Sequence, residues 1–190
     1  VHTRDFQKTL ERVTGRNLDG FFQQWIHSAG HPELTLKLSH DKSLLRVEVK
    51  QTQKGEGIPP VFRFGLRLVV VTDGVERTVD LKITERECAF VIPAESPDYV
   101  RVDPGFRVLA RMRIEAPQSW LFRALEGDAC PIVRIRAAQS LAKRAGVADL
   151  EALVRAVTDK DWRIRSIVAG VLGGLGGDVA RETLLKGLET

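Results

Sequence analysis

The chain has 190 residues, of which 43% are hydrophobic and 28% charged, and its formal net charge is +4. Positive and negative residues are interspersed along the whole sequence, whereas proteins that bind nucleic acid concentrate Lys and Arg on one face. We therefore expect no nucleic-acid partner. No apolar run approaches the roughly 18 residues of a membrane span, so we also expect no membrane segment. Cys88 and Cys130 are too few and too far apart for a disulfide framework or a metal knuckle. They leave the cellular compartment open, with a slight preference for the cytoplasm.

Two helices are predicted at the beginning of the chain. The first covers residues 4–14 and ends at Gly15, and the second follows Asn17, which is a good N-cap residue. Four large apolar residues recur at i, i+3, i+4 and i+7 on one face of the second helix: Leu18, Phe21, Phe22 and Trp25. Fully burying one such side chain is worth about 1.5–3 kcal/mol. We expect this face to pack against a part of the protein that the chain itself does not supply.

The order of residues in this segment carries a family resemblance. The segment combines a paired Phe, a Trp and a Gly-x-Pro exit in the order Phe6, Leu10, Gly15, Leu18, Phe21, Phe22, Trp25, Gly30, Pro32. This pattern resembles the end of the catalytic domain in the aminopeptidase N family of zinc metallopeptidases. The resemblance implies that residues 1–32 are the helical end of a truncated catalytic domain, and that the missing domain contacts the four-residue face. A start at Val1 without Met fits a fragment. The alternative is that these are two amphipathic helices of an unrelated all-α tail. It explains the apolar spacing but not the paired Phe, the Trp and the Gly-x-Pro exit together.

Residues 33–116 have the pattern of an antiparallel β-sandwich. Apolar and polar residues alternate in about seven short runs, each with one apolar face. A two-residue hairpin turn is expected at Asp73-Gly74, and the last strand is expected over residues 107–114. Two apolar faces packed together give a sandwich of immunoglobulin-like type. In the resembled family such a module follows the catalytic domain and acts as a spacer without a cofactor.

Residues 117–190 have helical periodicity and an internal repeat. Residues 132–138 align with residues 161–167, about 29 positions further on, and an Asp recurs before the first helix of each repeat at Asp128 and Asp159. The pattern resembles the short HEAT-like repeats first named for phycobilisome lyases. It implies an all-α stack of about two and a half helix pairs, each burying one face on its neighbours.

Arginines of the repeats allow two interpretations. In repeats of this kind an Arg pairs with the Asp of an adjoining repeat, and we expect such a ladder from Arg134, Arg136, Arg163 and Arg165. The alternative is a basic interaction surface that includes Arg134 and Arg163, with Trp162 beside it as an exposed aromatic anchor.

The sequence contains no motif of known chemistry. None of its four histidines belongs to an H-E-x-x-H zinc site. His27 and His31 have the i, i+4 spacing that a metal accepts, but Gly30 and Pro32 should end the helix there. A His cation near a helix C-terminus is instead favoured by the helix dipole. We expect no catalytic residue, no cofactor and no metal in this chain, while zinc and peptide substrates would belong to the parent enzyme.

Two functional hypotheses follow. In the first, the chain is a non-catalytic C-terminal fragment of a zinc-dependent aminopeptidase and acts as spacer, structural support or cleft-limiting module, although its short helical part puts the last role in doubt. In the second, the parent is an inactive aminopeptidase-like scaffold that interacts through HEAT-like repeats. An H-E-x-x-H motif with a downstream Glu in the parent would separate the two hypotheses. In either case the fragment alone should self-associate through its apolar N-terminal face.

Overall fold

The structure is a computed structural model that describes residues 2–143 and 147–187. Within these residues the chain forms seven α-helices, one π-helical turn and seven β-strands, so the fold mixes helices and sheets. Val1, the first residue of the first predicted segment, and residues 188–190, the last of the third, lie outside the described residues.

The N-terminal segment consists of α1 (Thr3–Thr14), α2 (Asp19–Phe22) and a π-helical turn (Gln23–His27). Helix α1 ends as predicted at Gly15, which takes the left-handed conformation with φ 65° and donates its N–H to Glu11. The prediction of one regular helix through Trp25 is wrong, because the helix widens into the π turn after Phe22. That turn is held from outside by contacts between Gln24, Trp25 and a later loop, described below.

Seven strands follow and form two sheets. They are β1 (Glu33–Asp41), β2 (Leu44–Gln51), β3 (Phe64–Thr72), β4 (Val75–Ile83), β5 (Glu87–Pro93), β6 (Tyr99–Val102) and β7 (Arg111–Glu115). The first sheet has the strand order β5-β2-β1-β7 and the second has the order β4-β3-β6. Alternating residues of both sheets, such as Leu36 and Val47 in the first and Leu66 and Leu68 in the second, are buried in one shared hydrophobic core.

The expectation of a purely antiparallel arrangement is wrong for one strand pair. Strand β7 pairs with β1 in parallel, with Leu36 opposite Ile114, whereas the remaining strand pairs are antiparallel. The reason is the path of the chain: after β6 it leaves the second sheet and enters the first beside Pro32, whose carbonyl accepts the N–H of Arg111 at 3.0 Å.

Strand β7 is also shorter than the predicted run over residues 107–114. The connection before it contains two residues with positive φ, Asp103 (43°) and Phe106 (50°). The buried carboxylate of Asp103 accepts the N–H groups of Arg107 and Val108 at 3.0 and 3.2 Å. These bonds hold the chain in a turn, because N–H groups occupied by a side chain cannot join a ladder.

Five helices complete the described chain: α3 (Gln118–Gly127), α4 (Pro131–Ala142), α5 (Val147–Ala156), α6 (Trp162–Leu175) and α7 (Asp178–Gly187). Their apolar faces form a second hydrophobic core that includes Leu125, Leu141 and Ile164. Helix α3 lies against β6 and α4 lies against β7. Because Trp120 of α3 is buried in the core of the sheets, the helices rest directly on the strands.

The repeat has a different register from the predicted one. Val133, Ala137 and Leu141 of α4 are buried, and the buried positions of α6 are Ile164, Val168 and Leu172, which lie 31 residues later. The offset of about 29 residues that the Arg-rich motif suggested is therefore wrong. A repeat is identified by its buried positions, because these are the residues that pack on neighbouring helices.

Candidate functional site

An apolar surface of the N-terminal segment is exposed to solvent. Helix α1 has no buried residue along its whole length. The side chains of Phe6 and Phe21 are 56% and 53% exposed, and both rings contact the buried ring of Phe22, at centroid distances of 6.1 and 5.8 Å. We call Phe6, Phe21 and Phe22 the N-terminal aromatic surface. A helix of this length is marginally stable in water by itself, so a packing partner would stabilise α1.

The base of this surface is fixed to the sheets. Trp25 packs on Phe62 and Phe64 with centroid distances of 5.4 and 6.4 Å. Gln24 donates its side-chain amide to the carbonyl of Arg63 at 3.0 Å and accepts the N–H of Arg63 at 2.6 Å. This two-way hydrogen bond resembles the pairing of a strand, and it places the aromatic surface at a defined position relative to the sheets.

The predicted four-residue face is divided between two environments. Phe22 is 2% exposed and Trp25 is half-buried against the sheets, whereas Leu18 is half-buried and Phe21 is open to solvent. The expectation that the chain supplies no wall for this face is therefore wrong for Trp25, because the sequence pattern did not show that Phe62 and Phe64 would lie beneath it.

The repeats contain the predicted Arg–Asp ladder. Arg134, which is 2% exposed, donates Nε and Nη2 to the two carboxylate oxygens of Asp159 at 3.2 and 3.1 Å, and Nη1 to the carbonyl of Asp128 at 2.7 Å. Arg165 repeats the second contact by donating to the carbonyl of Asp159 at 2.9 Å. The ladder prediction is thus confirmed for Arg134, and the equivalence of Arg134 with Arg165 supports the offset of 31 residues.

An arginine of the sheet takes the first position of this ladder. Arg101 of β6 donates Nε to the buried carboxylate of Asp128 at 2.6 Å and Nη1 to Glu76 at 2.6 Å. Burial opposes the charged form of Arg101, but the hydrogen bonds that it donates to both carboxylates raise its pKa above the ordinary value. The Arg101–Asp128 pair is therefore equivalent to the Arg134–Asp159 pair. The ladder of Arg–Asp pairs begins on strand β6 and continues into the helices.

Two further side chains join the helices to the sheets. Arg136 of α4 donates to the carbonyl of Val102 at 2.5 Å and lies over the ring of Phe106, 5.0 Å from its centroid. Burial lowers the pKa of Arg136 from its ordinary value. Ser140 of the same helix donates its hydroxyl to the carbonyl of Ile114 at 3.2 Å. The prediction that Arg136 belongs to the ladder is wrong, because it faces the sheets.

The residues of the predicted basic interaction surface do not form a common exposed surface. Arg134 is buried in the ladder and is not available to a partner. Arg163 pairs with the N-cap carboxylate of its own helix, Asp161, at 2.6 Å, so it is not a ladder residue either. Trp162 is 67% exposed and remains the one residue of this group with the exposure of an anchor.

The described residues offer no site for a metal ion. Within 2–143 and 147–187, no three His, Cys, Asp or Glu side chains are grouped so that they could hold one. His27 ends the π turn and His31 lies beyond it, both exposed. The zinc ion implied by the family resemblance therefore does not fit the described residues of this chain. Among the helices described, none is long and apolar enough to cross a membrane.

The first comparison with known proteins concerns the helical part of the chain. Residues 107–190 match the family of HEAT repeats, so this part of the chain is HEAT-like. No curated protein matches the chain.

The fold of the whole chain is similar to that of a solved enzyme. This is the aminopeptidase A of Legionella pneumophila, whose crystal structure was determined in complex with aspartic acid; the TM-score is 0.62 and the sequence identity 17%. The similarity covers 100% of this chain and 24% of that one, so the chain spans about a quarter of the length of the enzyme.

Proposed function

We propose that this chain is the non-catalytic C-terminal part of an aminopeptidase-like protein. The observation that carries the proposal is the fold similarity, which extends over the N-terminal helices, the sheets and the repeats together and leaves three quarters of the similar enzyme unmatched. In this proposal the two sheets form an immunoglobulin-like sandwich that acts as a spacer. The helices form a HEAT-like stack that supports it.

The N-terminal aromatic surface is the proposed contact with a catalytic domain. Helix α1 exposes Phe6 and buries none of its residues, while Trp25 anchors the same segment on the sheets. A segment fixed on one side and apolar on the other is suited to join two domains. Covering Phe6 and Phe21 would stabilise the assembly by about 1.5–3 kcal/mol for each ring that becomes fully buried.

Removal of N-terminal residues from peptides, with the zinc ion that this chemistry uses, is proposed for the parent protein only. The described residues of this chain contain no metal cluster, so no catalytic step is assigned to them. Their contribution is mechanical: the Arg101–Asp128 pair and the ladder behind it fix the helices relative to the sheets.

The first experiment compares the chain with a double variant, Phe6→Glu and Phe21→Glu. We expect the unchanged chain to self-associate in analytical ultracentrifugation and the double variant to be monomeric, since the exposed aromatic rings drive association. The matched control is Val75→Glu, because Val75 is an apolar residue on β4 that is more exposed than either ring and lies far from this surface in the sequence. An unchanged chain that is monomeric at high concentration would contradict the proposed contact.

The second experiment tests whether catalytic activity belongs to the longer protein and not to this chain. The chain alone should not hydrolyse aminoacyl-nitroanilides, with or without added zinc, whereas the longer protein that contains it should. Hydrolysis by the chain alone that is lost on mutation of one of its residues would overturn the proposal.

A second candidate function is a protein-interaction scaffold without activity. It is favoured by the HEAT match over residues 107–190 and by the exposure of Trp162 on α6. The sequence that precedes this segment in the longer protein distinguishes the candidates, because an aminopeptidase requires H-E-x-x-H followed by a Glu, and a scaffold does not.

A further inference from the structure

A groove separates the last strand from the helices. Strand β7 is the outermost strand of its sheet, with β1 on one side and helix α4 on the other. A cavity of about 340 Å³ lies along this second side, between β7 and the helices. A larger cavity of about 730 Å³ shares Met112, Arg113, Gln139 and Lys143 with it and continues past β7 to Glu33, Leu34 and Thr35 of β1. The groove is narrow where Ser140 bonds to Ile114 and widens towards Arg111.

The main chain of β7 faces this groove at alternate residues. The N–H of Arg111 points to β1, because it donates to the carbonyl of Pro32. Alternate residues of a strand direct their N–H and C=O groups to opposite sides, so those of Met112 and Ile114 point away from β1. The carbonyl of Ile114 receives the hydroxyl of Ser140, which confirms this orientation. Met112 therefore presents both a donor and an acceptor to the wide part of the groove.

The lining of the groove is positively charged. Arg111 and Arg113 each have an acidic neighbour, at 3.7 Å from Glu33 and 3.1 Å from Glu115 respectively. Arg136 and Lys143 add two further positive charges, of which Arg136 makes its described hydrogen bond to a neutral carbonyl. The groove thus combines an open strand edge with a surplus of positive charge.

We propose that this groove binds an extended, acidic polypeptide segment by strand addition to β7. Main-chain hydrogen bonds to Met112 align the segment, and the exposed Lys143 attracts its carboxylates. Because Ser140 of α4 already bonds to the carbonyl of Ile114, the segment pairs with the first part of β7, Arg111–Arg113, which is about 10 Å long and accommodates about three residues. This site lies on residues different from the N-terminal aromatic surface and does not depend on the identity of the parent protein.

The binding test uses three fluorescein-labelled hexapeptides and the complete chain. The first alternates Glu and Val, the second alternates Lys and Val, and the third is the first peptide with every main-chain amide N-methylated, so that neither edge of the peptide can donate. Fluorescence polarisation should show that the second and third bind at least tenfold more weakly than the first. N-methylation removes main-chain donors without changing charge, so it separates strand addition from simple electrostatic attraction.

Two variants locate the site. Met112→Pro removes the N–H that faces the groove and leaves the bonds of β7 to β1 in place, and we expect it to weaken binding at least tenfold. Lys143→Glu reverses an exposed charge, cannot disturb the core, and should weaken binding of the acidic peptide by a similar factor. The matched control is Lys82→Glu, which reverses an exposed charge on β4 and should leave binding unchanged.

The outcomes are decisive in both directions. Weaker binding in Met112→Pro and Lys143→Glu, with unchanged binding in Lys82→Glu, supports the site. Absence of binding to the acidic peptide, equal binding of its N-methylated form, or unchanged binding in Lys143→Glu overturns the proposal. Thermal melting of Met112→Pro shows whether that variant is folded, and if it is not, the result for Lys143→Glu decides.

Discussion

The buried pair of Arg101 and Asp128 gives the sharpest test of how sheets and helices are joined. Asp128 precedes α4, its side chain is fully buried, and it accepts the Nε of Arg101 and the N–H of Cys130 at 2.6 and 2.7 Å. The perturbation is Asp128→Asn, which keeps the shape of the side chain and one oxygen for Cys130. It removes the negative charge opposite Arg101, whose side chain is itself only 13% exposed.

The magnitude follows from the cost of leaving one charge of a buried pair without its partner. Such losses are about 3–5 kcal/mol. Since Arg101 keeps its bond to the exposed Glu76, we expect the lower end, about 3 kcal/mol. For a chain of 150–250 residues, 1 kcal/mol corresponds to roughly 2–4 °C in Tm, so the expected decrease is about 6–12 °C.

The assay is thermal unfolding followed by circular dichroism at neutral pH. The control is Asp80→Asn, which breaks the same kind of Arg–Asp contact, with bonds of 2.7 and 2.9 Å to Arg67, on the surface of the sheet. A surface pair contributes little, so the control should melt like the unchanged chain. Equal shifts in Tm for Asp128→Asn and Asp80→Asn would refute the conclusion that the Arg101–Asp128 pair stabilises the junction.

Two further predictions concern local geometry. Gly30→Ala should lower the free energy of unfolding by about 1–2 kcal/mol, because Gly30 has φ +75° and its added Cβ would lie 2.9 Å from Ile58. The control is Gly20→Ala, whose added Cβ meets open space and should not lower the free energy of unfolding. Equal melting temperatures of the two variants would contradict this prediction. Hydrogen bonds from Arg163 lower the pKa of Asp161 to about 2, so its charge stabilises the start of α6 above about pH 4 and this gain is lost as the pH falls to about 2. Asp161→Asn should therefore melt below the unchanged chain at pH 7 and together with it near pH 2, and a constant difference would count against this.

Much of the fold could be predicted because its signals are local. Alternation in β2, where Leu45, Val47 and Val49 are buried, and the two-residue turn between β3 and β4 need only neighbouring residues to be recognised. The parallel pairing of β1 with β7 could not be predicted in the same way. It depends on the direction in which the chain returns from the second sheet, and the sequence pattern of β7 is the same for either direction.

The candidate surface shows the same limit. The spacing of Phe21, Phe22 and Trp25 predicted one common apolar face, but spacing does not show which members of a face find partners in the chain. Trp25 is covered by Phe62, which lies beyond two strands, whereas Phe21 is not covered. The alignment of the Arg-rich motif was wrong for a related reason, since that motif is more conspicuous than the small buried residues that define the repeat. The predicted recurrence of Asp128 and Asp159 has the observed offset of 31 residues.

The parallel pair also governs the order in which the molecule can assemble. Strand β1 begins at Glu33 and its neighbour β7 ends at Glu115, so β1 has only β2 beside it until most of the chain has been synthesised. Closing so long a loop costs conformational entropy before any contact repays it, and folds rich in such contacts form slowly. The helices depend on contacts between near neighbours and can form quickly, but α3 and α4 dock on β6 and β7. Helices α3 and α4 therefore dock only after β7 has paired with β1. Until β7 pairs, the edge of β1 is open to pairing with another chain.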